Sequence, residues 1–319
     1  MNALVGCTGF VGSNIYAAGG MDRGFHSTNI EEAYGLKPEL LIYAGLRAEK
    51  YLANREPERD MELILQAEEN IGKIAPKKLV LISTIDVFKE PVGVDETSPV
   101  ICGGLGAYGL NRYRLECFVR ETYPDALIIR LPGLFGQNIK KNFIYDMIHI
   151  IPFMLKEDKF LELADRDLSL REYYSRQPNG FYRCRELLPE EKKLLKQKFK
   201  ALEFTALHFT DSRSVYQFYP LSRLWADIQI ALAQGILLWH PATEPVSAAE
   251  VYGHVTGEAF KNELAGTPAV YDYRTVYAET FGGKDGYLCS KEQVLEEIAG
   301  FVSARCWHKL DMRRETAQK

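Results

Sequence analysis

Several features that would place this chain in a broad class of protein are missing from its sequence. Basic residues are not in excess: 39 Lys and Arg stand beside 43 Asp and Glu, which gives a formal net charge of −4 at pH 7. Nucleic-acid-binding domains usually show a basic face, and no such face stands out here. Apolar stretches such as residues 228–239 are too short and too interrupted to span a bilayer. We therefore expect neither a nucleic-acid partner nor insertion into a membrane.

Cysteine and histidine are few, and neither follows a spacing typical of metal sites. The six cysteines stand at positions 7, 102, 117, 184, 289 and 306, without the paired spacing of a zinc site or a disulfide framework. Histidines 149, 208, 240 and 254 show no metal-ligand spacing either. We expect no bound metal, reduced thiols and a cytoplasmic protein.

Glycine, in contrast, is concentrated at the start of the chain, where a strand is predicted to meet a helix. Residues 3–5 are an apolar run suited to a buried strand, and residues 13–18 can begin a helix. Gly6, Gly9 and Gly12 lie between them. Glycine permits positive φ and close approach of a pyrophosphate, and the free N–H groups of a helix N-terminus favour an anion. The turn predicts a phosphate-binding site, with a tight turn that binds nothing as the alternative.

Strands and helices are predicted to alternate over residues 1–136. Apolar runs typical of buried strands lie at 24–28, 40–43, 79–82 and 127–129, and helical patterns at 57–74 and 108–121. Strands that are apolar on both faces are typical of a parallel sheet covered by helices, so we predict an α/β fold with a doubly wound parallel sheet. Residues 137–208 lack this alternation and predict a smaller, irregular lobe. We expect residues 1–138, completed by about 209–245, to bind the cofactor, and 139–208 with 246–319 to form the substrate lobe.

Four segments resemble the extended short-chain dehydrogenase/reductase family, which includes NAD-dependent sugar epimerases and dehydratases. These are the glycine signature Gly6-x-x-Gly9-Phe10-Val11-Gly12, residues 43–48, residues 82–88, and Asp95–Pro99 with Ala107–Gly109. The segment 43–48 is similar to one in UDP-galactose 4-epimerases, and 82–88 to one in dTDP-4-dehydrorhamnose reductases. The last pair resembles the approach to the family's Tyr-x-x-x-Lys motif. The resemblance implies a Rossmann-like fold, a nucleotide-sugar substrate and a homodimer formed through the helices at 58–74 and 108–121.

The resemblance also implies the functional residues. The catalytic set would be Thr84, Tyr108 and Arg112, where Arg112 stands in place of the family's lysine. The cofactor would contact Gly6, Thr8, Gly9, Phe10, Val11, Gly12, Ser27, Thr28, Ala44, Gly45, Ser83, Tyr108 and Arg112. Arg47 and Asn142 would contact the substrate. No acid follows the second strand to hold an adenosine ribose. The cofactor is therefore written NAD(P), with a slight preference for NADP.

The chemistry expected of this set is a hydride transfer coupled to a proton transfer. Tyr108 would exchange a proton with the oxygen of a carbinol or keto carbon, and Thr84 would hold that oxygen. A free phenol has a pKa near ~10, and a cation about 4 Å away in a partly buried site lowers it. Arginine retains the charge of lysine, although its planar fork does not reproduce a compact ammonium.

The type of reaction stays open between reduction and epimerisation. Dehydratases of the family place two acids after the catalytic threonine, whereas this chain has Ile85 and then only Asp86, so dehydration is disfavoured. The likeness around Thr84 favours a reductase, and Arg47 resembles an epimerase lysine.

One alternative is a catalytically weak dinucleotide-binding sensor or assembly protein with a modified Tyr-x-x-x-Arg site. Another is a reductase of non-sugar carbonyl compounds, whose pocket would be lined by the aromatic residues at 173, 174, 181 and 182.

Overall fold

The structure, a computed structural model, describes the backbone of residues 1–316 and the side chains of residues 1–305. The strands are β1 Asn2–Val5, β2 Arg23–Phe25, β3 Leu40–Tyr43, β4 Lys78–Thr84, β5 Leu127–Leu131, β6 Gly133–Phe135, β7 Met154–Lys156, β8 Tyr174–Arg176, β9 Phe181–Cys184, β10 Val215–Tyr216, β11 Phe218–Pro220, β12 Leu238–Trp239 and β13 Val246–Ser247. The helices are α1 Phe10–Ala17, α2 Lys50–Arg55, α3 Pro57–Ile74, α4 Ala107–Thr122, α5 Phe143–Ile148, α6 Glu157–Arg166, α7 Pro189–Ala201, α8 Leu224–Ala233, α9 Ala248–Thr256 and α10 Lys291–Thr316.

The chain divides into two compact units. The first comprises residues 1–139, 215–247 and 269–298, and the second comprises residues 140–214 and 248–268 with the segment from Ala299 onward. Residues 269–298 therefore belong to the unit that holds the large sheet, whereas the sequence places them in the substrate lobe. The reason is packing, because Tyr273 is fully buried in a cluster with Ile85 and Val87. The assignment of cofactor and substrate binding to separate parts of the chain stays a prediction, and its residues 317–319 lie outside the described chain.

The first unit is built on a six-stranded parallel sheet, which confirms the predicted α/β class. Its strand order is β2-β1-β3-β4-β5-β12, and every neighbouring pair is parallel. The chain passes from β1 to β2 on one side and returns to β3 on the other side of β1. The carboxyl ends of β1 and β3 therefore flank a topological switch point, where open α/β sheets bind their ligands.

Helices α3 and α4 cover one face of this sheet. The predicted helix at 57–74 is confirmed to the residue, with Pro57 at its first position. Its apolar stripe, together with that of α4, packs on alternate residues of the strands; the shared core contains Ala3, Val5, Leu41, Tyr43, Ile64, Ile71, Leu79, Leu81, Leu115 and Val119. Leu4, Ile42 and Val80 are fully buried as well, and they point to the opposite face because strand side chains alternate. Burial on both faces explains the continuous apolar runs in the sequence.

The second strand is shorter than predicted. It ends at Phe25, because the N–H of His26 donates a hydrogen bond to Asn29 Oδ1 at 2.8 Å and closes a turn. Ser83 and Thr84 lie at the carboxyl end of β4, as predicted, since that strand continues to Thr84.

The second unit contains a three-stranded antiparallel sheet of order β7-β9-β8. Helices α6 and α7 contribute to its core through Phe160, Leu163, Leu195 and Phe199. Helix α7 begins at Pro189 with acids in its first turn and lysines in its last, which complements the helix dipole. This small, separate core confirms the predicted irregular lobe.

Candidate active site

The glycine turn lies at the switch point and has no room for side chains. Gly6 has a φ of +89°, and a Cβ built there would lie 2.3 Å from the carbonyl oxygen of Ala44 at the end of β3. A Cβ on Gly12 would lie 2.1 Å from the Gly6 carbonyl oxygen. Glycine is therefore required at both positions, and the turn packs the end of β1 against the end of β3.

Helix α1 follows this turn and presents its N-terminus at the surface. Thr8 and Gly9 are exposed, and the first N–H groups of a helix have no partner within it. Asn14 anchors the helix, since its Nδ2 donates to the carbonyls of Phe10 and Gln137, both at 2.8 Å. These backbone donors and the helix dipole fit the pyrophosphate of a dinucleotide. The anchoring role of Asn14 is not visible in the sequence, because Gln137 is 123 residues away.

Thr84 and Tyr108 meet at the carboxyl end of β4. The Thr84 side chain lies close enough to the Tyr108 phenol to lower its pKa, and its Oγ1 accepts the N–H of Asp86 at 3.2 Å. The Tyr108 N–H donates to Asn54 Oδ1 of α2 at 2.9 Å. A Cβ on Gly109 would lie 2.0 Å from the Asp86 carbonyl oxygen, so α4 lies directly against the turn that follows β4. The two hydroxyls predicted to hold one substrate oxygen are therefore brought together.

Burial dominates the ionisation of Tyr108. Desolvation raises the pKa of its phenol, the Arg112 guanidinium opposes this, and Asp86 adds to it. The hydrogen bond from Thr84 lowers the pKa, but less than burial raises it. The sequence suggests a phenol whose pKa is lowered by a cation. In the structure the phenol remains protonated at neutral pH, because it is 7% exposed and loses more from desolvation than it gains from the cation.

Arg112 lies on the ring of Tyr108 rather than beside its oxygen. Its guanidinium carbon is 4.4 Å from the ring centroid. One amino group forms a buried ion pair with Asp60, and the other donates to the Arg47 carbonyl at 2.8 Å. Both terminal amino groups are thus bound within the protein, and the predicted role of Arg112 in gripping a cofactor stays a prediction.

No protein-family model and no curated protein matches the sequence, whereas solved structures match along nearly the whole chain. A dTDP-4-dehydrorhamnose reductase from Bacillus anthracis in complex with NADP superposes with a TM-score of 0.59 at 16% identity, covering 93% of this chain and 96% of that one. A short-chain dehydrogenase/reductase superfamily protein from Agrobacterium tumefaciens with bound NAD gives a TM-score of 0.61 at 13% identity, with 99% of both chains covered. The chain has the fold of the extended short-chain dehydrogenases/reductases. A UDP-glucose 4-epimerase from Thermotoga maritima with UDP-glucose shares this dehydrogenase/reductase fold, with a TM-score of 0.57 at 15% identity over 95% of this chain and 98% of that one.

The Ser83 hydroxyl is bound inside the protein. Its hydroxyl donates to Glu116 Oε1 at 2.6 Å, and Glu116 also accepts from Arg130 at 2.7 Å in a fully buried network. A contact between Ser83 and a cofactor would therefore come from its backbone.

Ser27 and Thr28 are exposed after β2, where the Thr28 hydroxyl lies 2.9 Å from the His26 ring. Their contact with a cofactor stays a prediction.

Arg47 and Asn142, the two predicted substrate contacts, lie in different units. The exposed Arg47 side chain lines a small cavity with Glu49, Glu56 and Asp60. Asn142 precedes α5 in the second unit and accepts the Tyr145 N–H at 3.1 Å as a helix cap. Its capping role accounts for its position, and substrate contact stays a prediction for both residues.

The aromatic pocket considered for a non-sugar substrate is largely core. Tyr173 and Tyr174 are buried in the second unit, and the Tyr182 ring stacks on Phe160 with centroids 3.9 Å apart.

Among the side chains described, the cysteines are free thiols, and Cys306 lies outside that set. Residues 1–305 contain no cluster of three metal-ligating side chains. In the described part of the chain, none of the helices has the length and apolarity needed to cross a membrane.

One cluster beside Tyr108 is not apparent from the sequence. Asp86 Oδ1 accepts from Lys50 Nζ and from the Tyr271 hydroxyl, each at 2.9 Å. Tyr271 is 185 residues from Asp86, so no local pattern signals their contact. Burial raises the pKa of the Tyr271 phenol, and the Asp86 carboxylate raises it further.

Proposed function

We propose that the chain binds NAD(P) at the β1–α1 turn and transfers a hydride at a carbinol or keto carbon of a nucleotide-activated sugar. The observation that carries this is the meeting of the Thr84 and Tyr108 side chains at the carboxyl end of β4. It occurs in the sheet whose first turn excludes every side chain at Gly6 and Gly12. Structures with the same fold bind NADP, NAD and UDP-glucose, which supports the choice of cofactor and substrate class.

Tyr108 would serve as the general acid. Its raised pKa keeps the phenol protonated at neutral pH, so its O–H can donate to a carbonyl oxygen that gains negative charge. Thr84 would donate a second hydrogen bond to that oxygen and orient it. A bound nicotinamide would supply the hydride. A protonated phenol favours the reductive direction, and we therefore prefer a reductase to an epimerase.

The test is a pair of assays on the purified full-length protein. Binding of NADPH and NADH is measured by calorimetry, and turnover with a panel of keto-sugar nucleotides by the loss of nicotinamide absorbance. Tyr108→Phe should lower turnover by about 10²–10⁴-fold and leave dinucleotide binding unchanged. Tyr34→Phe is the matched control, because it removes another phenol hydroxyl, which donates to Asn70 Oδ1 at 2.8 Å, away from this site. Turnover in Tyr108→Phe equal to wild type would remove Tyr108 from the mechanism.

A second candidate function is a dinucleotide-binding sensor or assembly protein. The observation that favours it is the commitment of both Arg112 amino groups to Asp60 and the Arg47 carbonyl. Dinucleotide binding without turnover across the whole panel would select this candidate.

We also keep the expected homodimer as a proposal. Leu63 and Leu65 on α3 and Leu110 on α4 are exposed, which fits a contact through these helices. Light scattering of the Leu65→Lys variant tests it: the wild type should have twice the mass of the variant.

A further inference from the structure

The open face of the small β7-β9-β8 sheet in the second unit carries a polar groove. Side chains alternate along a strand, and one face of this sheet buries Leu155 and Tyr174 in the core of that unit. The opposite face presents Ser175 and Arg183, which are both exposed. The groove on this face has a volume of about 590 Å³, a size typical of small-molecule sites. Its lining includes Phe153, Ser175, Gln177, Arg183, Arg185 and Glu186.

Arg183 is the arginine of this groove whose charge is not paired. Arg185 donates to both carboxylate oxygens of Glu191, at 2.9 and 2.7 Å, so its charge is already matched. Within residues 1–305, the Arg183 guanidinium forms neither a hydrogen bond nor an ion pair, and its carbon lies 4.9 Å from the centroid of the Phe153 ring. A planar guanidinium with available N–H groups matches the geometry of an oxyanion.

A hydroxyl lies directly across the strand pair from Arg183. Ser175 and Arg183 are register partners in β8 and β9, and directly opposite side chains of an antiparallel pair have Cβ atoms about 5 Å apart. Gln177 Nε2 donates to Ser175 Oγ at 3.1 Å and to the Ser175 carbonyl at 3.2 Å. Because Ser175 Oγ accepts this hydrogen bond, its own O–H is available to donate. The two residues therefore offer donors to one anion.

An exposed aromatic ring adjoins these donors. Phe153 is 48% exposed, whereas phenylalanine is among the residues most often buried, and its ring offers a flat apolar surface to a ligand. Among the described residues that line the groove, Glu186 is the one carboxylate, and the two arginines outnumber it. The charge and the ring together favour an anion that carries an apolar group.

We propose that this groove binds a small phosphate monoester, with its phosphate on Arg183 and Ser175 and its organic group on Phe153. A phosphate has three terminal oxygens, enough to accept from the guanidinium fork and the hydroxyl at once. The groove shares no residue with the Thr84–Tyr108 pair, and none of the four segments that resemble the dehydrogenase/reductase family contributes to it. The inference is therefore independent of the proposed function.

The experiment localises binding on the purified full-length protein with phenyl phosphate as the probe. Phenylglyoxal modifies accessible guanidinium groups, and peptide mass spectrometry gives the modification rate of each arginine. Phenyl phosphate at ten times its dissociation constant should slow the modification of Arg183 by about ten-fold. Arg176 is the internal control, because it lies on the neighbouring strand and is bound to Glu157 at 2.9 Å. Its modification rate should not change.

The concentration of phenyl phosphate that half-protects Arg183 then measures the affinity of each variant at this site alone. Ser175→Ala should raise it about three- to ten-fold. Phe153→Ala should raise it by a similar factor of about three to ten and leave protection by inorganic phosphate unchanged. Ser169→Ala is the matched control for the serine variant, because it removes a hydroxyl of the same unit that donates to Asp167 Oδ1 at 2.6 Å. Melting temperatures verify that each variant is folded.

Equal modification of Arg183 with and without phenyl phosphate overturns the inference. Protection that Ser175→Ala and Phe153→Ala leave unchanged also overturns it, because the probe then lies elsewhere. Benzoate that protects as strongly as phenyl phosphate overturns the choice of a phosphate over a carboxylate, and inorganic phosphate that does so overturns the role of the ring. Glu186→Gln should lower the half-protecting concentration about two-fold by removing a like charge, and an increase would contradict an anionic ligand.

Discussion

Two cation–carboxylate pairs flank Tyr108, and they differ chiefly in their contact with water. The side chains of Arg112 and Asp60 are 4% and 7% exposed, whereas those of Lys50 and Asp86 are 53% and 18% exposed. Both pairs influence the pKa of the Tyr108 phenol. Arg112 lowers it, and Asp86 and Asp60 raise it. The buried pair holds α4 against α3, whereas the exposed pair joins α2 to the turn that follows β4. A cation and a carboxylate are therefore shielded from water in one pair and screened by it in the other.

The buried pair should produce the largest effect when it is broken. Asp60→Ala leaves the Arg112 guanidinium uncompensated in the core and removes the acceptor of Asn111. We expect the free energy of unfolding to fall by about 3–5 kcal/mol, measured by urea denaturation. The double variant Asp60→Leu, Arg112→Met removes both charges and should recover at least half of that loss. A double variant as unstable as Asp60→Ala would show that the charges themselves are not the cause.

The buried residue His240 extends the comparison to the pH dependence of stability. His240 is fully buried with its Nε2 3.4 Å from Arg130 Nη1. Burial, and then Arg130, lowers the pKa of His240 to about 3. The folded pKa lies below the unfolded value, so the unfolded chain binds more protons and stability falls as pH decreases from 6.5 toward 3. Between pH 7 and pH 4, we expect the free energy of unfolding to fall by about 3 kcal/mol less in His240→Asn than in the wild type.

The measurement is urea denaturation of the wild type and variants at pH 7 and pH 4. His254→Asn is the control, because His254 is exposed. A pH dependence in His240→Asn equal to that of the wild type would contradict the expectation.

Breaking the exposed pair should cost little stability. Lys50→Met removes an ammonium from an ion pair that water already screens, and exposed pairs contribute about 0–1 kcal/mol. We expect the free energy of unfolding to change by less than 1 kcal/mol by the same urea method. A loss similar to that of Asp60→Ala would mean that exposure does not distinguish the two pairs.

The smallest effect is expected for a pair in which both partners are well exposed. Arg176 and Glu157 in the second unit are 58% and 45% exposed, with Nε and Oε1 2.9 Å apart. Arg176→Met should leave the free energy of unfolding unchanged within the error of the urea measurement. A larger change would indicate packing of the arginine stem rather than its charge.

Local patterns in the sequence predict much of this fold but only part of the site. The helix at 57–74 follows from Pro57 and its apolar stripe, and the glycine turn follows from its spacing. The pairing of Thr84 with Tyr108 is implied by the resemblance of their segments to the dehydrogenase/reductase family. Asp60 and Tyr271 are not predictable in this way, since they reach their partners across 52 and 185 residues. The orientation of Ser83 toward Glu116 is hidden for another reason, because a doubly buried strand does not show which face a polar residue takes.

The six-residue helix α2 contacts both the Asp86 carboxylate and the backbone of Tyr108. Its first residue, Lys50, reaches Asp86, and Asn54 one turn later holds the Tyr108 amide. A displacement of this short helix would move the Tyr108 amide and the Asp86 carboxylate together, in a segment that carries no proposed catalytic group of its own. Substitutions in α2 are therefore a way to shift the Tyr108 phenol without altering Tyr108 or Thr84.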